Sequence, residues 1–124
     1  MGCEREGCVR VSRWGNCIDR AKGHRRATRI PCPQGGHGGD GNFHVVFSID
    51  PDSPEELAEV EQLSRKLIAD ALEAGGTCTG EHGIGIGKLR ELEQEQGEAI
   101  HVMRAIKTAL DPLNIMNPGK VLQM

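Results

Sequence analysis

The stretch from residue 42 to residue 76, NFHVVFSIDPDSPEELAEVEQLSRKLIADALEAGG, decides the fold. Its first part alternates apolar and polar side chains, which is the period of a strand with one buried face. The segment Ser-Pro-Glu-Glu then predicts a helix that begins at Pro54 with Ser53 as its N-cap. Apolar residues at steps of three and four give that helix a buried stripe, and Gly75 and Gly76 end it. A strand joined to a capped helix is therefore expected at the centre of the domain.

The chain after this helix continues to alternate between element types. Residues 77–79 predict a short strand that runs into a glycine-rich loop, and residues 88–96 predict a short helix. Residues 99–110 carry a second amphipathic stripe, which Asp111 and Pro112 stop. Short connections between strands and helices predict an α+β fold, in which antiparallel strands carry amphipathic helices on one face.

Residues 1–35 differ from the rest of the chain in charge and in pattern. They hold eight Lys and Arg against three acidic residues, in a chain whose formal net charge is −3. Their apolar residues are isolated and show neither helical nor alternating periodicity. We therefore predict a poorly ordered basic arm over residues 1–35, followed by a domain over residues 36–124. One aromatic residue and no recognisable module argue against nucleic-acid binding by this arm.

The bulk composition narrows the class of protein. A chain of 124 residues is long enough for one domain and short for an enzyme that must also enclose a large cofactor. No apolar run reaches membrane-spanning length and no secretory leader is present, so a cytoplasmic location is expected. Four of the five cysteines fall in residues 1–35 at spacings that match no paired zinc motif, and free thiols are the expectation.

Two segments concentrate reactive side chains: GGHGGDGNFH, with His37 and His44, and TGEHGIG, with Glu81. On a continuous strand, an odd separation of seven residues sends two side chains to opposite faces. The intervening glycines permit a chain reversal that returns His37 to the side of His44. Two imidazoles and one carboxylate form a recognised cation site, so we predict that His37, His44 and Glu81 bind a divalent metal.

Simpler interpretations of these segments remain open. A histidine in a loop is often a surface hydrogen-bonding residue, and glycine-rich loops often only turn the chain. The GIGIGK segment is not a phosphate-binding loop, because Leu89 follows Lys88 where Ser or Thr is required. Its glycine spacing also differs from that of a dinucleotide-binding fingerprint.

Three motifs in order, GGHGGDGNFH, GGTCTGEHGIGIGK and ALDPLNIMNPGKV, resemble the C-terminal end of a flavoprotein family. This family of FAD-linked oxidases includes D-lactate dehydrogenase, glycolate oxidase and D-2-hydroxyglutarate dehydrogenase. The resemblance covers roughly residues 36–122 and implies a partial C-terminal domain of such an enzyme. In the family an N-terminal domain binds FAD, and the C-terminal domain closes the substrate side.

The resemblance also implies roles for individual residues. It makes His37, His44 and Glu81 the ligands of a divalent metal such as zinc or manganese, and His82 the general base that accepts the proton of a substrate hydroxyl. It makes Asn117 a residue that reaches the flavin, and Asn42 is the second candidate for a cofactor contact.

The expected function follows from that resemblance. The chain is expected to be a fragment of an FAD-dependent 2-hydroxy-acid dehydrogenase, inactive alone because its hydride acceptor is missing, unless a partner supplies the flavin domain. The alternative is a metal-binding module without a catalytic role.

Overall fold

A computed structural model describes residues 2–124 of the chain, with side chains from residue 4 onward. The chain divides into two compact units, Met1–Glu81 and His82–Met124. The described part of the first unit contains three strands and two helices: β1 (Gly2–Cys8), α1 (Val11–Arg26), β2 (Gln34–His37), β3 (Asn42–Ser48) and α2 (Pro54–Glu73). The second unit contains two helices in its described residues, α3 (Leu89–Gln96) and α4 (Ala99–Leu110). The predicted α+β class is confirmed.

The sheet of the first unit places β3 in the middle. Over the described residues the strand order is β1-β3-β2, and both pairs are antiparallel. Because side chains alternate along a strand, Phe43, Val45 and Phe47 all point to one face, where they are buried. That face forms the core together with residues of α1 and α2, namely Cys17, Ala21, Val60, Leu63, Leu67 and Ala71. The opposite face of β3 is left for polar side chains.

The predicted strand and capped helix are confirmed. The strand spans Asn42–Ser48, and α2 begins at Pro54 as predicted. The Ser53 hydroxyl accepts a hydrogen bond from the Glu56 amide at 3.3 Å, which satisfies one of the free N–H groups of the first turn. The side chain of Glu56 turns back to accept a hydrogen bond from the Asp50 amide at 2.8 Å, and so fixes the turn before the helix.

Two predictions about irregular segments are wrong. Residues 77–79 do not form a strand, since Thr77 makes a single antiparallel bridge to Cys8. Residues 1–35 are not a poorly ordered arm over the part that the structure describes, because they contain β1 and α1. Val9, Cys17, Ala21, Ile30 and Cys32 all enter the core cluster of the first unit.

Side-chain contacts explain why the basic N-terminal segment folds. Arg20 on α1 forms ion pairs with Asp70, at 3.1 Å, and with Glu73 on α2. His24 Nε2 lies 2.8 Å from the same Asp70 carboxylate. The Trp14 indole N–H donates to the backbone carbonyl of Asn42 at 3.3 Å. Two basic side chains of α1, Arg20 and His24, therefore have acidic partners on α2, which lie about 50 residues away in the sequence.

The cysteines agree with the expectation of free thiols. Among the described residues, no disulfide joins Cys8, Cys17, Cys32 or Cys78, and the side chain of Cys3 lies outside the described residues. Burial raises the pKa of the Cys17 and Cys32 thiols, and the nearby Asp70 carboxylate raises that of Cys17 further. These two thiols are therefore poor nucleophiles.

No helix among residues 2–124 has the length and apolar character needed to cross a membrane.

The second unit buries little of its apolar surface. Ile100 of α4 is buried, but Val102, Ile106 and Leu110 of the same helix are more than half exposed. Arg104 of α4 is partly exposed, forms an ion pair with Glu93 of α3 and donates to the backbone carbonyl of Gln123 at 2.8 Å. The amphipathic stripe predicted for this helix thus lies largely on its exposed side.

Asp111 organises the turn after α4. Its side chain is buried, forms an ion pair with Lys107, and accepts hydrogen bonds from the amides of Ile115 and Met116 at 3.0 and 2.9 Å. The hydrogen bond from the Lys107 ammonium is the main cause that lowers the pKa of Asp111 below its ordinary value of 3.8. Burial acts in the opposite direction, and the two amides add to the lowering.

We expect Asp111→Asn to remove a pH-dependent part of the stability. A carboxyl whose pKa is lowered by folding stabilises the folded chain fully above its unfolded pKa, and this contribution is lost as the pH falls through the folded value. The gap in unfolding free energy between wild type and Asp111→Asn should therefore shrink below pH 3.8. Urea unfolding followed by circular dichroism at neutral and acidic pH measures the gap, with the exposed Asp52→Asn as control. A gap that is constant with pH contradicts the assignment.

Candidate functional site

The polar face of the sheet gathers the candidate site residues of the first unit. Residues paired directly across antiparallel strands project their side chains to the same face. Glu6 pairs with His44, Gly35 pairs with His44 from the other side, and His37 pairs with Asn42. These side chains therefore share the face opposite α1 and α2. Since Gly35 has no side chain, the space above His44 on that side stays open.

The β2–β3 hairpin brings the two predicted histidines together. Their ring centroids lie 6.1 Å apart, with the planes nearly perpendicular. The turn between them is closed by a hydrogen bond from the Asp40 amide to the His37 carbonyl at 2.9 Å. Gly41 has a φ of +73°, which a glycine adopts readily. Gly38 and Gly39 do not share this conformation, so the reversal needs one left-handed glycine where the sequence suggested several.

His44 is surrounded by polar groups on the polar face. It is 9% exposed, its Nδ1 lies 3.0 Å from Glu4 Oε1, and its Nε2 lies 3.4 Å from Glu81 Oε1. The amide nitrogen of Asn42 lies 3.3 Å from the same Nε2. Both ring nitrogens therefore face acidic side chains, one on β1 and one in the loop after residue 78.

Asn42 lies inside the site. It is buried, and within the described chain its Oδ1 atom has no hydrogen-bond partner. Gly80 lies against this amide so closely that an added Cβ would come within 2.6 Å of Oδ1. Asn42 therefore contacts the histidine directly, and the loop that carries Glu81 can approach it only because residue 80 is a glycine.

Glu6, like Glu4, is a site residue that the sequence did not predict. It is 3% exposed, and its carboxylate accepts hydrogen bonds from the Thr79 hydroxyl and from the amides of Gly80 and Glu81. Apolar and polar residues do not alternate along β1, so the sequence around Glu6 did not predict a strand. Its partners are more than 70 residues away, and no local spacing could have indicated them.

The ligand atoms of Glu6, His44 and Glu81 all lie within 4.8 Å of one another, a grouping that could hold a metal ion. Two of these residues, His44 and Glu81, belong to the predicted trio. The third predicted ligand, His37, is exposed at the end of β2 with its ring beside that of His44. The structure thus brings the predicted trio to one face and adds a buried carboxylate to it.

The remaining predicted residues belong to the second unit. His82 is exposed and directly follows Glu81 along the chain. Asn117 is exposed and has a φ of +52°, in the turn that follows α4. Their roles as general base and as flavin contact stay predictions.

Fold and site together define a small α+β domain that carries a histidine–carboxylate cluster on one face of its sheet. The chain belongs to the family described as FAD linked oxidases, C-terminal domain, which matches residues 3–121. The match begins well before residue 36, so the N-terminal segment is part of the family's domain and not an addition to it.

The chain is similar to several curated enzymes. It is 46% identical over 116 residues to the mitochondrial D-lactate dehydrogenase [cytochrome] of Arabidopsis thaliana, which covers 93% of this chain and 20% of that protein. It is 46% identical over 118 residues to the probable mitochondrial D-lactate dehydrogenase of Danio rerio, which covers 94% of this chain and 24% of that one. It is 46% identical over 87 residues to glycolate oxidase subunit GlcD of Bacillus subtilis, with 69% and 18% covered. The chain thus spans about a fifth of the length of these relatives.

Proposed function

We propose that this chain forms the metal-binding and proton-accepting side of the active site in an FAD-dependent 2-hydroxy-acid dehydrogenase of the D-lactate or glycolate type. The observation that carries the proposal is the buried His44 between two carboxylates, in a chain 46% identical to enzymes named D-lactate dehydrogenase. The family assignment supports FAD as the cofactor of the whole enzyme.

The donor set fits a divalent metal such as zinc or manganese. Imidazole nitrogens and carboxylate oxygens are ligands that both ions accept. Three acidic side chains, Glu4, Glu6 and Glu81, lie around the buried imidazole of His44, and their carboxylate oxygens attract a cation. We assign His37, His44 and Glu81 as the ligands. When bound, the metal polarises the hydroxyl and carboxylate of the hydroxy acid.

The proposed reaction assigns one proton and one hydride to different acceptors. His82 takes the proton from the substrate hydroxyl, which leaves an oxygen that can form the carbonyl of the 2-oxo acid. A bound flavin would supply the acceptor for the hydride from the carbon that bears this hydroxyl. Asn117 and Asn42 are proposed as polar contacts beside the cofactor. We propose that protein outside these 124 residues holds the flavin and that the chain alone does not turn over.

A chimera tests this function directly. Residues 3–121 replace the matching segment of the Arabidopsis thaliana enzyme, and D-lactate-dependent dye reduction is measured. We expect turnover by the chimera, and a loss of about 10²- to 10⁴-fold in kcat when His82 is replaced with alanine, with metal content unchanged. His101→Ala, an exposed histidine on α4, is the matched control and should retain turnover.

Two results oppose the proposal. Robust turnover by the isolated chain with added FAD contradicts the need for a flavin domain elsewhere. A chimera that binds metal but does not turn over, whether or not His82 is present, favours the alternative of a metal-binding module without a catalytic role.

The cytoplasmic location stays a prediction, since the Arabidopsis thaliana and Danio rerio relatives are named as mitochondrial.

A further inference from the structure

The loop that carries Glu81 has almost no secondary structure to hold it. After the single bridge between Thr77 and Cys8, residues 78–81 leave the sheet without entering a strand or a helix. Nevertheless the side chain of Glu81 must lie close to that of His44 if the two residues are to bind the same cation. Something other than a strand ladder has to fix its backbone.

Glu6 fixes the backbone of this loop through hydrogen bonds. Its Oε1 accepts hydrogen bonds from the Thr79 hydroxyl and the Gly80 amide, both at 2.9 Å, and its Oε2 accepts from the Glu81 amide at 3.0 Å. Hydrogen bonds to an ionised acceptor are stronger than neutral ones, and burial keeps water from competing. One side chain thus binds three donors on three consecutive residues of the loop.

The register of the sheet places Glu6 beside His44 and within reach of the backbone of Glu81. Glu6 is paired with His44 across the β1–β3 ladder, so its side chain lies on the same face as the imidazole. From that position the carboxylate holds the backbone of Glu81, and the Glu81 side chain returns to within 3.4 Å of His44 Nε2. The distance between His44 and Glu81 therefore depends on a residue from a third segment of the chain.

The chemistry of this position favours glutamate over close analogues. Aspartate is shorter by one methylene, so its carboxylate would lie farther from the three donors that Glu6 reaches at 2.9–3.0 Å. Glutamine keeps the length, but its single oxygen cannot replace both carboxylate oxygens, so its NH₂ group faces the Gly80 or the Glu81 amide and leaves that donor unsatisfied.

We propose that Glu6 is the positioning residue of this cluster: it holds residues 79–81 so that Glu81 and His44 can bind the same cation. The proposal rests on the proposed function for the metal, whereas the part that concerns the loop does not. Glu6 acts through Glu81 and needs no contact of its own with the metal.

The test compares Glu6→Gln with wild type in the full chain, and Glu59→Gln, an exposed site on α2, is the matched control. Amide hydrogen exchange at Gly80 and Glu81 is measured by NMR without metal, and Zn²⁺ or Mn²⁺ affinity is measured by calorimetry. In Glu6→Gln we expect exchange at these amides to accelerate by about tenfold or more. We expect the metal Kd to rise about 10- to 100-fold, as for other residues that orient a ligand. The control should change neither.

The outcomes separate this proposal from the one on which it rests. Unchanged exchange at Gly80 and Glu81 in Glu6→Gln overturns the role of Glu6, and so does a weakened metal affinity with these amides still protected, since that result makes Glu6 a direct ligand. If wild type binds neither metal, the proposed metal site fails, and the exchange data still decide whether Glu6 holds the loop. Should Glu6→Gln fail to fold, Glu6→Asp keeps the charge, shortens the reach and is expected to show the same two changes.

Discussion

Replacing His44 with alanine is expected to weaken divalent-metal binding by more than about 100-fold, because the proposed function makes His44 a direct ligand and changes to supporting residues alone cost about 10- to 100-fold. His44 is the residue that the other site residues surround. Its two nitrogens lie 3.0 and 3.4 Å from carboxylates of β1 and of the loop at residue 81, and its ring lies 6.1 Å from that of His37. His44 is the only histidine of β3, so no other imidazole on this strand can replace it.

Calorimetric titration with Zn²⁺ or Mn²⁺, after treatment with a chelator, measures this effect. The matched control is His101→Ala, since His101 is exposed on α4 and pairs with Glu98. The fluorescence of the single Trp, Trp14, which packs against the core of the first unit, reports whether each variant is folded. A folded His44→Ala variant with the wild-type metal affinity would falsify the assignment of His44 as a ligand.

Replacing Phe47 with alanine is expected to lower the free energy of unfolding of the first unit by about 3–5 kcal/mol. Phe47 lies on the central strand, is 1% exposed, and belongs to the core cluster that both α1 and α2 cover. The chain has only two Phe, one Trp and no Tyr, so few large side chains are available to refill the space. The cost combines the lost burial of the ring with the cavity that remains.

Urea unfolding followed by Trp14 fluorescence measures this loss, because Trp14 belongs to the same unit as Phe47. Leu113→Ala is the comparison: Leu113 is 77% exposed, and its truncation should change stability by no more than about 0.5 kcal/mol. A loss below about 1 kcal/mol in Phe47→Ala would mean that this part of the core is not packed as described.

The elements that the sequence predicted correctly carry their signals locally. The alternation in β3, the Ser53 cap and Pro54 of α2, and the Asp111 that ends α4 are each readable within a few residues. The proximity of His37 and His44 was also predicted, because a glycine-rich reversal between two histidines of odd spacing returns both to one face.

The prediction failed where stability comes from distant contacts. In α1 the apolar residues are few; Cys17 and Ala21 pack into the core, and ion pairs from Arg20 and the contact of His24 with Asp70 add to the attachment of the helix to α2. Strand β1 has charged residues on both faces. Its polar side chains are stabilised by their contacts with the other residues of the site. A pattern based on apolar periodicity therefore assigned these residues to a disordered arm.

The sequence by itself determined the α+β class, the central strand and its capped helix, and the family, because these depend on local periodicity, capping and ordered motifs. The tertiary structure alone decided that residues 2–35 complete the sheet and core, and that Glu6 joins the cluster of His44 and Glu81. The physical reason is the same in both cases. A buried carboxylate and a basic helix gain their stability from partners more than 40 residues away, and only the folded chain brings those partners within hydrogen-bond distance.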